Sequence, residues 1–149
     1  MSGAFAGKTI ALTGAAGGIG QWLCRFFGAE GSTIAALDRS EKVNDLAVTL
    51  ANQGIAVRAA VADTSDSAAV KVAFASFGDV HVLINNAGVS RHPTLSTTDP
   101  AGWDEDIQSN LNGAYACAHA VLPQMVARRS GAIVNVGSVN GLGALGDPA

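Results

Sequence analysis

The sequence has little charge and no extended cluster of basic side chains. Of its 149 residues 14% are charged, the formal net charge is −3, and the only adjacent basic residues are Arg128-Arg129. Proteins that bind nucleic acids neutralise several phosphates with Lys and Arg. This composition gives no support to nucleic-acid binding, and we expect no nucleic-acid partner.

Long apolar runs are also missing, although the composition as a whole is apolar. No uninterrupted run approaches the roughly 20 residues of a membrane-spanning helix. Apolar residues nevertheless make up 48% of the chain, and mean hydropathy is +0.28. The first residues, Met1-Ser2-Gly3-Ala4, lack the charged and apolar regions of a signal peptide. We expect a cytoplasmic protein without a membrane partner, and the apolar excess indicates a largely buried sheet or a large interface.

Cysteine and histidine are too few and too scattered to indicate a metal site. Cys24 and Cys117 lie far apart, each in an apolar segment with helical spacing, and His81, His92 and His119 show no ligand spacing. We interpret the cysteines as buried free thiols in a reducing compartment. We predict no bound metal.

The most informative stretch that is present runs from Thr13 to Gly20 and is rich in glycine. It follows the apolar run Thr9–Leu12 and precedes an apolar segment from Gln21 to Phe27, which is the layout of a strand, a tight turn and a helix. Glycines permit positive φ and the close approach of a ligand. The free N–H groups at a helix start attract an anion such as a pyrophosphate. The alternative is an ordinary glycine-rich turn between a strand and a helix.

Strand-like and helix-like segments alternate along the chain. This alternation predicts an α/β fold with a doubly wound parallel sheet and helices on both faces. The predicted strands are 9–13, 33–37 (ending at Asp38), 56–61, 80–84 and 132–136. The first predicted helix starts near Gly18, and the second is capped by Ser40 and runs to Gln53. The third runs from Ser65 to Phe77, and the fourth runs from Ala101 to Arg129 with a bend at Pro123.

Residues suited to ligand binding follow each of the five predicted strands. They are the glycine turn, Asp38, Asp63, Asn85 to Gly88, and Ser138. In an open parallel sheet, ligands bind outside the carboxyl ends of the strands, near the switch in strand order. The sequence therefore predicts that these positions share one site.

Asp38 indicates which nucleotide would bind. It lies 18 residues beyond Gly20, where an acidic side chain can accept hydrogen bonds from both ribose hydroxyls of an adenosine and would repel a 2′-phosphate. The alternative is a surface Asp that caps the next helix. The neighbouring Arg39 could pair with a phosphate, but the glycine turn has no Lys or Arg. The sequence favours NAD over NADP.

Four signatures, in order, resemble those of the short-chain dehydrogenase/reductase family. Thr13-Gly14-x-x-x-Gly18-Ile19-Gly20 is similar to its cofactor fingerprint and Asn85-Asn86-Ala87-Gly88 to its second signature. Ser109-Asn110-Leu111 is similar to the segment with its catalytic Asn, and Ile133 to Ser138 to its fifth strand and catalytic Ser. The likeness extends from about Phe5 to the end of the chain. It implies a Rossmann-like, three-layer α/β/α NAD(P)-binding domain over residues 1–149, incomplete at the C-terminus, with the first five strands only.

The resemblance implies that nine residues contact the cofactor. The pyrophosphate would be lined by Gly14, Gly18, Ile19 and Gly20. Asp38 would hold the adenosine ribose and Asp63 the adenine amino group. The backbone that packs on the adenosine side would be that of Asn86, Ala87 and Gly88.

Two further residues would belong to the reaction itself. By resemblance, Ser138 would hydrogen-bond the substrate oxygen, and Asn110 would help to hold a proton-relay water. Considered without the family, these residues have structural alternatives. Asp63 could cap the following helix, Asn85 and Asn86 could be turn residues, and Ser138 is a common residue in a turn after a strand.

The family's Tyr-x-x-x-Lys pair, which supplies the general acid or base, is absent. The only Tyr is Tyr115, and the sequence stops at Asp147-Pro148-Ala149, where the family's Tyr would be due. The family's later strands and helices are absent as well, so strand five would be an open apolar edge. We interpret the chain as an N-terminal portion of a longer protein that is inactive by itself.

The longer protein is expected to be an oxidoreductase. It would transfer a hydride between the nicotinamide and an alcohol or ketone, and by resemblance it would be a homodimer or homotetramer. The alternative is a natural truncation that binds a dinucleotide, or acts as a scaffold, without catalysis. The substrate is not identifiable from these residues.

Overall fold

A computed structural model describes residues 3–90 and 96–138. The strands are β1 (Thr9–Thr13), β2 (Thr33–Asp38), β3 (Val57–Val61), β4 (Val82–Asn85) and β5 (Ala132–Asn135). The helices are α1 (Gly18–Ala29), α2 (Lys42–Asn52), α3 (Ser67–Phe77), α4 (Pro100–Ile107) and α5 (Gly113–Ala127), with a π-helical turn at Gln108–Asn112. All five strands are parallel, in the order β3-β2-β1-β4-β5. The predicted doubly wound sheet is confirmed.

The centre of the sheet is β1, which pairs with β2 on one side and β4 on the other. Leu12 lies opposite Ala36 of β2 and Ile84 of β4. The chain moves from β1 outward to β3 and then returns to the other side of β1, so the strand order switches between β1 and β4. Ligands of open α/β sheets bind in the crevice beyond the strands at such a switch.

Helices cover both faces of the sheet because alternate strand residues point to opposite sides. Ile10 and Leu12 belong to a core cluster with α1 and α2, whereas Ala11 belongs to a cluster with α3 and α5. Cys24 lies in the first cluster and Cys117 in the second. Both are buried free thiols, as predicted, and burial raises the pKa of each to about 12.

The predicted starts of two helices are wrong, by one residue for α2 and by two for α3. Helix α2 starts at Lys42, and its N-cap position is Glu41 rather than Ser40. The Ser40 hydroxyl accepts the Lys42 N–H at 3.3 Å from outside the helix. Helix α3 starts at Ser67 and is capped by Asp66, whose carboxylate accepts the N–H groups of Ala68 and Ala69 at 2.9 and 3.0 Å. In both loops several Ser and Asp side chains stand together, and sequence alone does not single out the cap.

The predicted long helix is divided by a π-helical turn. It runs from Pro100 to Ala127, and the departure from α geometry lies at Gln108–Asn112. Pro123, where a bend was predicted, lies inside α5, which continues to its end at Ala127. A π turn adds a residue to one helical turn and is frequent at functional sites.

Strand β5 leaves apolar side chains uncovered. Among the described strands it pairs only with β4, and Val134 and Val136 are 49% and 46% exposed. Within residues 3–90 and 96–138, no helix is both long enough and apolar enough to span a membrane.

At the edge of the sheet where the strands begin, His81 joins β4 to β1. Its Nδ1 accepts the Thr9 N–H at 3.0 Å, which requires the neutral ring. Burial lowers the pKa of His81, the positive charges of Arg128 and Lys8 lower it further, and Asp79 opposes them.

We predict that the folded chain loses stability as pH falls below 6.5, the ordinary pKa of His81. The unfolded ring takes up a proton near that pH and the folded ring only at lower pH, so protons favour unfolding. His81→Asn, whose Oδ1 can accept the same N–H without titrating, should flatten this dependence in urea unfolding between about pH 5 and 7. His119→Asn, on the exposed side of α5, should keep the original slope. An identical slope in His81→Asn would contradict the assignment.

Candidate nucleotide-binding site

A cavity of about 330 Å³ opens where β1, β2, β3 and β4 end. Every residue predicted to contact the cofactor lies in its lining. The lining residues are Gly14, Gly17, Gly18, Ile19, Gly20, Leu37, Asp38, Arg39, Ala62, Asp63, Thr64, Asn86, Ala87, Gly88, Val89 and Ser109. Segments that are distant in sequence therefore meet in one groove, at the switch in strand order.

The glycine turn combines tight packing with open space. Gly14 has a φ of +65°, and a Cβ on it would lie 2.9 Å from the Ala87 Cα. A Cβ on Gly20 would lie 2.1 Å from the Gly14 carbonyl oxygen. Gly18 differs, because a Cβ there would meet nothing within 4 Å and its φ is not positive. The chain's own packing does not require glycine at Gly18, so the space in front of it is available to a ligand.

Helix α1 starts at Gly18, at the wall of the cavity. Gly17 occupies its N-cap position, and no side chain caps the helix. The N–H groups of a first helical turn lack partners within the helix and carry its positive dipole end. This end of the cavity therefore suits an anion such as a pyrophosphate.

Four hydrogen bonds join the end of β1 to the segment after β4. The Thr13 hydroxyl oxygen accepts the N–H groups of Asn86 and Ala87 at 3.1 and 3.0 Å. The Asn86 side-chain amide donates to the carbonyl oxygens of Thr13 and Gly14 at 3.1 and 3.3 Å. These bonds hold the two walls of the groove together, and sequence reasoning did not identify Thr13 as their centre.

The Asp38 carboxylate connects the end of β2 to the glycine turn. It accepts the N–H groups of Ala16 and Ser40, each at 2.9 Å. It does not cap α2, which starts at Lys42. A carboxylate has about four acceptor positions, so capacity for ribose hydroxyls remains. Arg39 lines the same end of the cavity.

Asp63 is held by its own turn. Its carboxylate accepts the backbone N–H of Ser65 at 2.9 Å and the Ser65 hydroxyl at 2.7 Å. The alternative that Asp63 caps α3 is wrong, because Asp66 does so. The carboxylate of Asp63 is thereby oriented at the wall of the cavity before any ligand binds.

Asn110 lies in the π-helical turn and is bound to the loop after β4. Its Oδ1 accepts the Val89 N–H at 2.8 Å, and its Nδ2 donates to the Val89 carbonyl at 2.9 Å. A Cβ on Gly88 would lie 3.1 Å from the same Oδ1. The Asn110 amide thus fixes the backbone of this loop, and Asn110 itself is not part of the cavity lining.

Ser138 lies beyond the end of β5 and is exposed. The N–H of Val136 donates to the Asn85 carbonyl at 2.9 Å, which places the chain leading to Ser138 at the same edge of the sheet as the cavity. Ser138 does not line the cavity. The described residues thus assemble the predicted cofactor contacts but not the two predicted catalytic residues.

A side-chain hydrogen bond between Asn85 and Asn135, beside the site, was not predicted. Asn85 is 6% exposed and donates to the Asn135 side-chain oxygen at 2.9 Å and to the Ala114 carbonyl at 3.3 Å. The Oδ1 of Asn85 is buried and has no partner among the described residues. Asn85 lies opposite Asn135 in the β4–β5 register, and this register is the signal that could have identified their hydrogen bond.

Two other predictions concern groups outside the cavity. Among residues 3–90 and 96–138, no three His, Cys, Asp or Glu side chains are arranged to hold a metal ion; His92 lies outside the described residues. Tyr115 is 69% exposed and lies beside His119, with ring centres 5.8 Å apart and the ring planes tilted by 37°. It does not line the cavity.

Comparison with known families agrees with this geometry. A family model described as short chain dehydrogenase matches residues 8–146. Curated relatives are 38% and 35% identical over 143 and 147 residues, which is 93% and 95% of this chain. The chain spans about half the length of these relatives, 54% and 59%.

Three solved structures with the same three-layer fold are similar to this chain. One is an oxidoreductase of the short chain dehydrogenase/reductase family from Burkholderia thailandensis, with 45% identity, a TM-score of 0.86, and coverage of 95% of this chain and 55% of that one. The second is an NAD+-bound xylitol dehydrogenase, with 29% identity, a TM-score of 0.89, and coverage of 95% and 56%. The third is a gluconate 5-dehydrogenase from Burkholderia cenocepacia in complex with NADP and tartrate, with 35% identity, a TM-score of 0.87, and coverage of 93% and 56%.

Alanine substitutions in the glycine turn should separate packing from ligand space. Gly20→Ala should lower the free energy of unfolding by about 2 kcal/mol or more, because its Cβ collides with backbone. Gly18→Ala should keep that stability and lower dinucleotide affinity by about tenfold or more, because its Cβ enters the ligand's space. Chemical denaturation and calorimetric titration measure the two effects. Unchanged dinucleotide affinity in Gly18→Ala would show that the open space is not used.

Proposed function

The chain belongs to the short-chain dehydrogenase/reductase family, and we propose that it forms the nucleotide-binding part of an oxidoreductase. The full reaction is hydride transfer between a nicotinamide cofactor and an alcohol or carbonyl substrate. The observation that carries the proposal is the cavity, where all the predicted cofactor contacts meet and where Gly18 leaves room for a ligand. In this proposal residues 1–149 form one nucleotide-binding domain.

The residues present fit a dinucleotide. The uncapped start of α1 receives the pyrophosphate, with Gly14, Gly18, Ile19 and Gly20 around it. Asp63 and the backbone of Asn86, Ala87 and Gly88 receive the adenosine. When bound, the nicotinamide supplies or accepts the hydride, and the protein's task is to orient it.

Asp38 supports a preference for NAD. Its carboxylate is fixed by the N–H groups of Ala16 and Ser40, so its remaining acceptor positions are presented without further ordering. A ribose with both hydroxyls can donate to it, whereas a 2′-phosphate would meet like charge. Arg39 in the same lining works in the opposite direction, and relatives of this fold bind either cofactor. We propose NAD as the cofactor on the strength of the Asp38 geometry.

Asp38→Ala should lower NAD affinity about tenfold more than NADP affinity, because it removes the ribose acceptor and the repulsion of a 2′-phosphate together. The variant also loosens the glycine turn, but that loss is common to both cofactors and cancels in the ratio of affinities. Calorimetric titration with each cofactor measures the ratio. Asp45→Ala, which removes the same charge from the exposed face of α2, should leave it unchanged. Equal losses for NAD and NADP in Asp38→Ala would rule out the ribose role.

The catalytic roles remain proposals that rest on the family motif. Ser138 hydrogen-bonds the substrate oxygen, and Asn110 belongs to the segment that holds a proton-relay water. The proton itself is moved by a Tyr outside these residues. Tyr115 is a poor candidate for that task because it lies outside the cavity lining and its ring lies beside that of His119.

The 149-residue chain alone should bind nucleotide without oxidising alcohols. Incubation with NAD or NADP and a panel of alcohols, followed by the absorbance of reduced nicotinamide, should show no turnover, since the chain has no Tyr-x-x-x-Lys pair to accept the proton. Nucleotide binding to the same sample is the control. Reduced nicotinamide formed by the purified chain would contradict the missing-pair argument.

A second candidate function is nucleotide binding without catalysis, and it is favoured by the cavity lining, which contains every predicted cofactor contact but neither Asn110 nor Ser138. The two candidates differ in the size of the natural protein. An intact mass near 14.9 kDa from the source organism would favour the non-catalytic function, and a much larger mass would favour the oxidoreductase.

We further propose a cytoplasmic homodimer or homotetramer that acts on an alcohol or ketone. Buried free thiols support a reducing compartment. Helix α5 supports assembly, because Tyr115, Leu122 and Val126 on its surface are 69%, 49% and 64% exposed.

A further inference from the structure

Ser65 is bound from two sides at the adenosine end of the cavity. Its backbone N–H and its hydroxyl both donate to the Asp63 carboxylate, at 2.9 and 2.7 Å. Its carbonyl oxygen accepts a hydrogen bond from the Gln108 side chain at 2.9 Å. Any shift of Ser65 would therefore change the direction of the Asp63 carboxylate, and Gln108 is the residue that restrains that shift from outside the loop.

Gln108 is itself oriented by the π-helical turn in which it lies. The Nδ2 of Asn112, one turn further on, donates to the Gln108 Oε1 at 2.6 Å. A side-chain amide whose oxygen is held in this way turns its NH2 group to the opposite side, where the Ser65 carbonyl lies. The contacts thus form a chain from Asn112 through Gln108 and Ser65 to Asp63.

The same turn contacts the cavity at other points. Asn110 holds the backbone of Val89 on the far side of the groove. Gly113, at the start of α5 directly after the turn, lies so close to the β3–α3 loop that a Cβ on it would be 2.8 Å from the Thr64 Oγ1. The π-helical turn and the start of α5 therefore contact the loops that follow β3 and β4, and Gln108 is the side-chain contact of the turn with the loop of Asp63.

We propose that Gln108, oriented by Asn112, is a positioning residue for the adenosine half of the cofactor. It acts through Ser65 on Asp63 and does not contact the ligand. This inference rests on the proposed function, because it assumes that the adenosine lies at Asp63. The glycine turn, which receives the pyrophosphate, has no hydrogen bond with the Gln108 side chain among the described residues, so the two halves of the site should respond differently to its loss.

The test compares two fragments of the cofactor, adenosine 5′-monophosphate and inorganic pyrophosphate. Each is titrated into the isotope-labelled 149-residue chain and followed by NMR chemical shifts. In Gln108→Ala the affinity for adenosine monophosphate should fall about fivefold, the size expected from one lost hydrogen bond. Pyrophosphate affinity and the melting temperature should be unchanged, since Gln108 is exposed.

Two further variants complete the design. Asn112→Ala should lower the affinity for adenosine monophosphate by about twofold, because it removes only the hydrogen bond that orients the Gln108 amide. Gln124→Ala is the matched control. Gln124 also joins α5 to a loop, through the Val80 N–H at 2.8 Å and the Gly78 carbonyl at 3.5 Å, but at the opposite edge of the sheet. It should leave both affinities unchanged, whatever its effect on stability.

The outcomes separate this role from the proposed function. One contrary outcome is that Gln108→Ala binds adenosine monophosphate as tightly as the unchanged chain does, and another is that its affinities for both ligands fall by the same factor. In either case Gln108 does not position the adenosine, and the proposed function stands. If the unchanged chain binds neither fragment, the proposed function fails and the role of Gln108 fails with it.

Discussion

The site depends on the contact between the end of β1 and the segment that follows β4. At a switch in strand order the segments that follow the two strands leave the sheet in different directions, and their backbone groups lose the hydrogen-bond partners that the sheet supplied. The Thr13 hydroxyl and the Asn86 side chain replace those partners with four hydrogen bonds. Buried backbone groups without partners would cost free energy. The groove beside Gly14 therefore depends on these two side chains, which supply the hydrogen bonds between its walls.

The acidic residues of the site are held in place by backbone and hydroxyl donors. Asp38 accepts from the N–H groups of Ala16 and Ser40, and Asp63 accepts from Ser65. A carboxylate that is already ordered loses little entropy when a ligand binds. The structural hydrogen bonds of Asp38 and Asp63 therefore do not exclude the ligand-binding roles that are proposed for them.

The π-helical turn connects the two ends of this cavity. Through Gln108 it contacts the loop of Asp63, and through Asn110 it contacts Val89 on the other side. All nine residues that were predicted to contact the cofactor line this cavity. Ser138 does not line it and follows β5, where Val134 and the next apolar residue, Val136, are uncovered.

Much of the fold could be predicted because it depends on local patterns. Alternating apolar segments determine the strands and helices, and Gly14, Asp38, Asp63 and Asn86 follow strands whose ends must meet in a parallel sheet. The sequence by itself therefore determined the layers and the place of the cavity, and its resemblance to the family supplied the residues that are proposed to contact the cofactor.

Tertiary structure alone decided which atoms those residues bind. No periodicity distinguishes Gly18, which leaves ligand space, from Gly20, which only avoids a collision with Gly14. The π turn at Gln108–Asn112 was not predicted for the same reason, because its side chains bind Ser65 and Val89, which are far away in sequence. Hydrogen bonds between distant segments depend on three-dimensional proximity, and a linear pattern carries no measure of that distance.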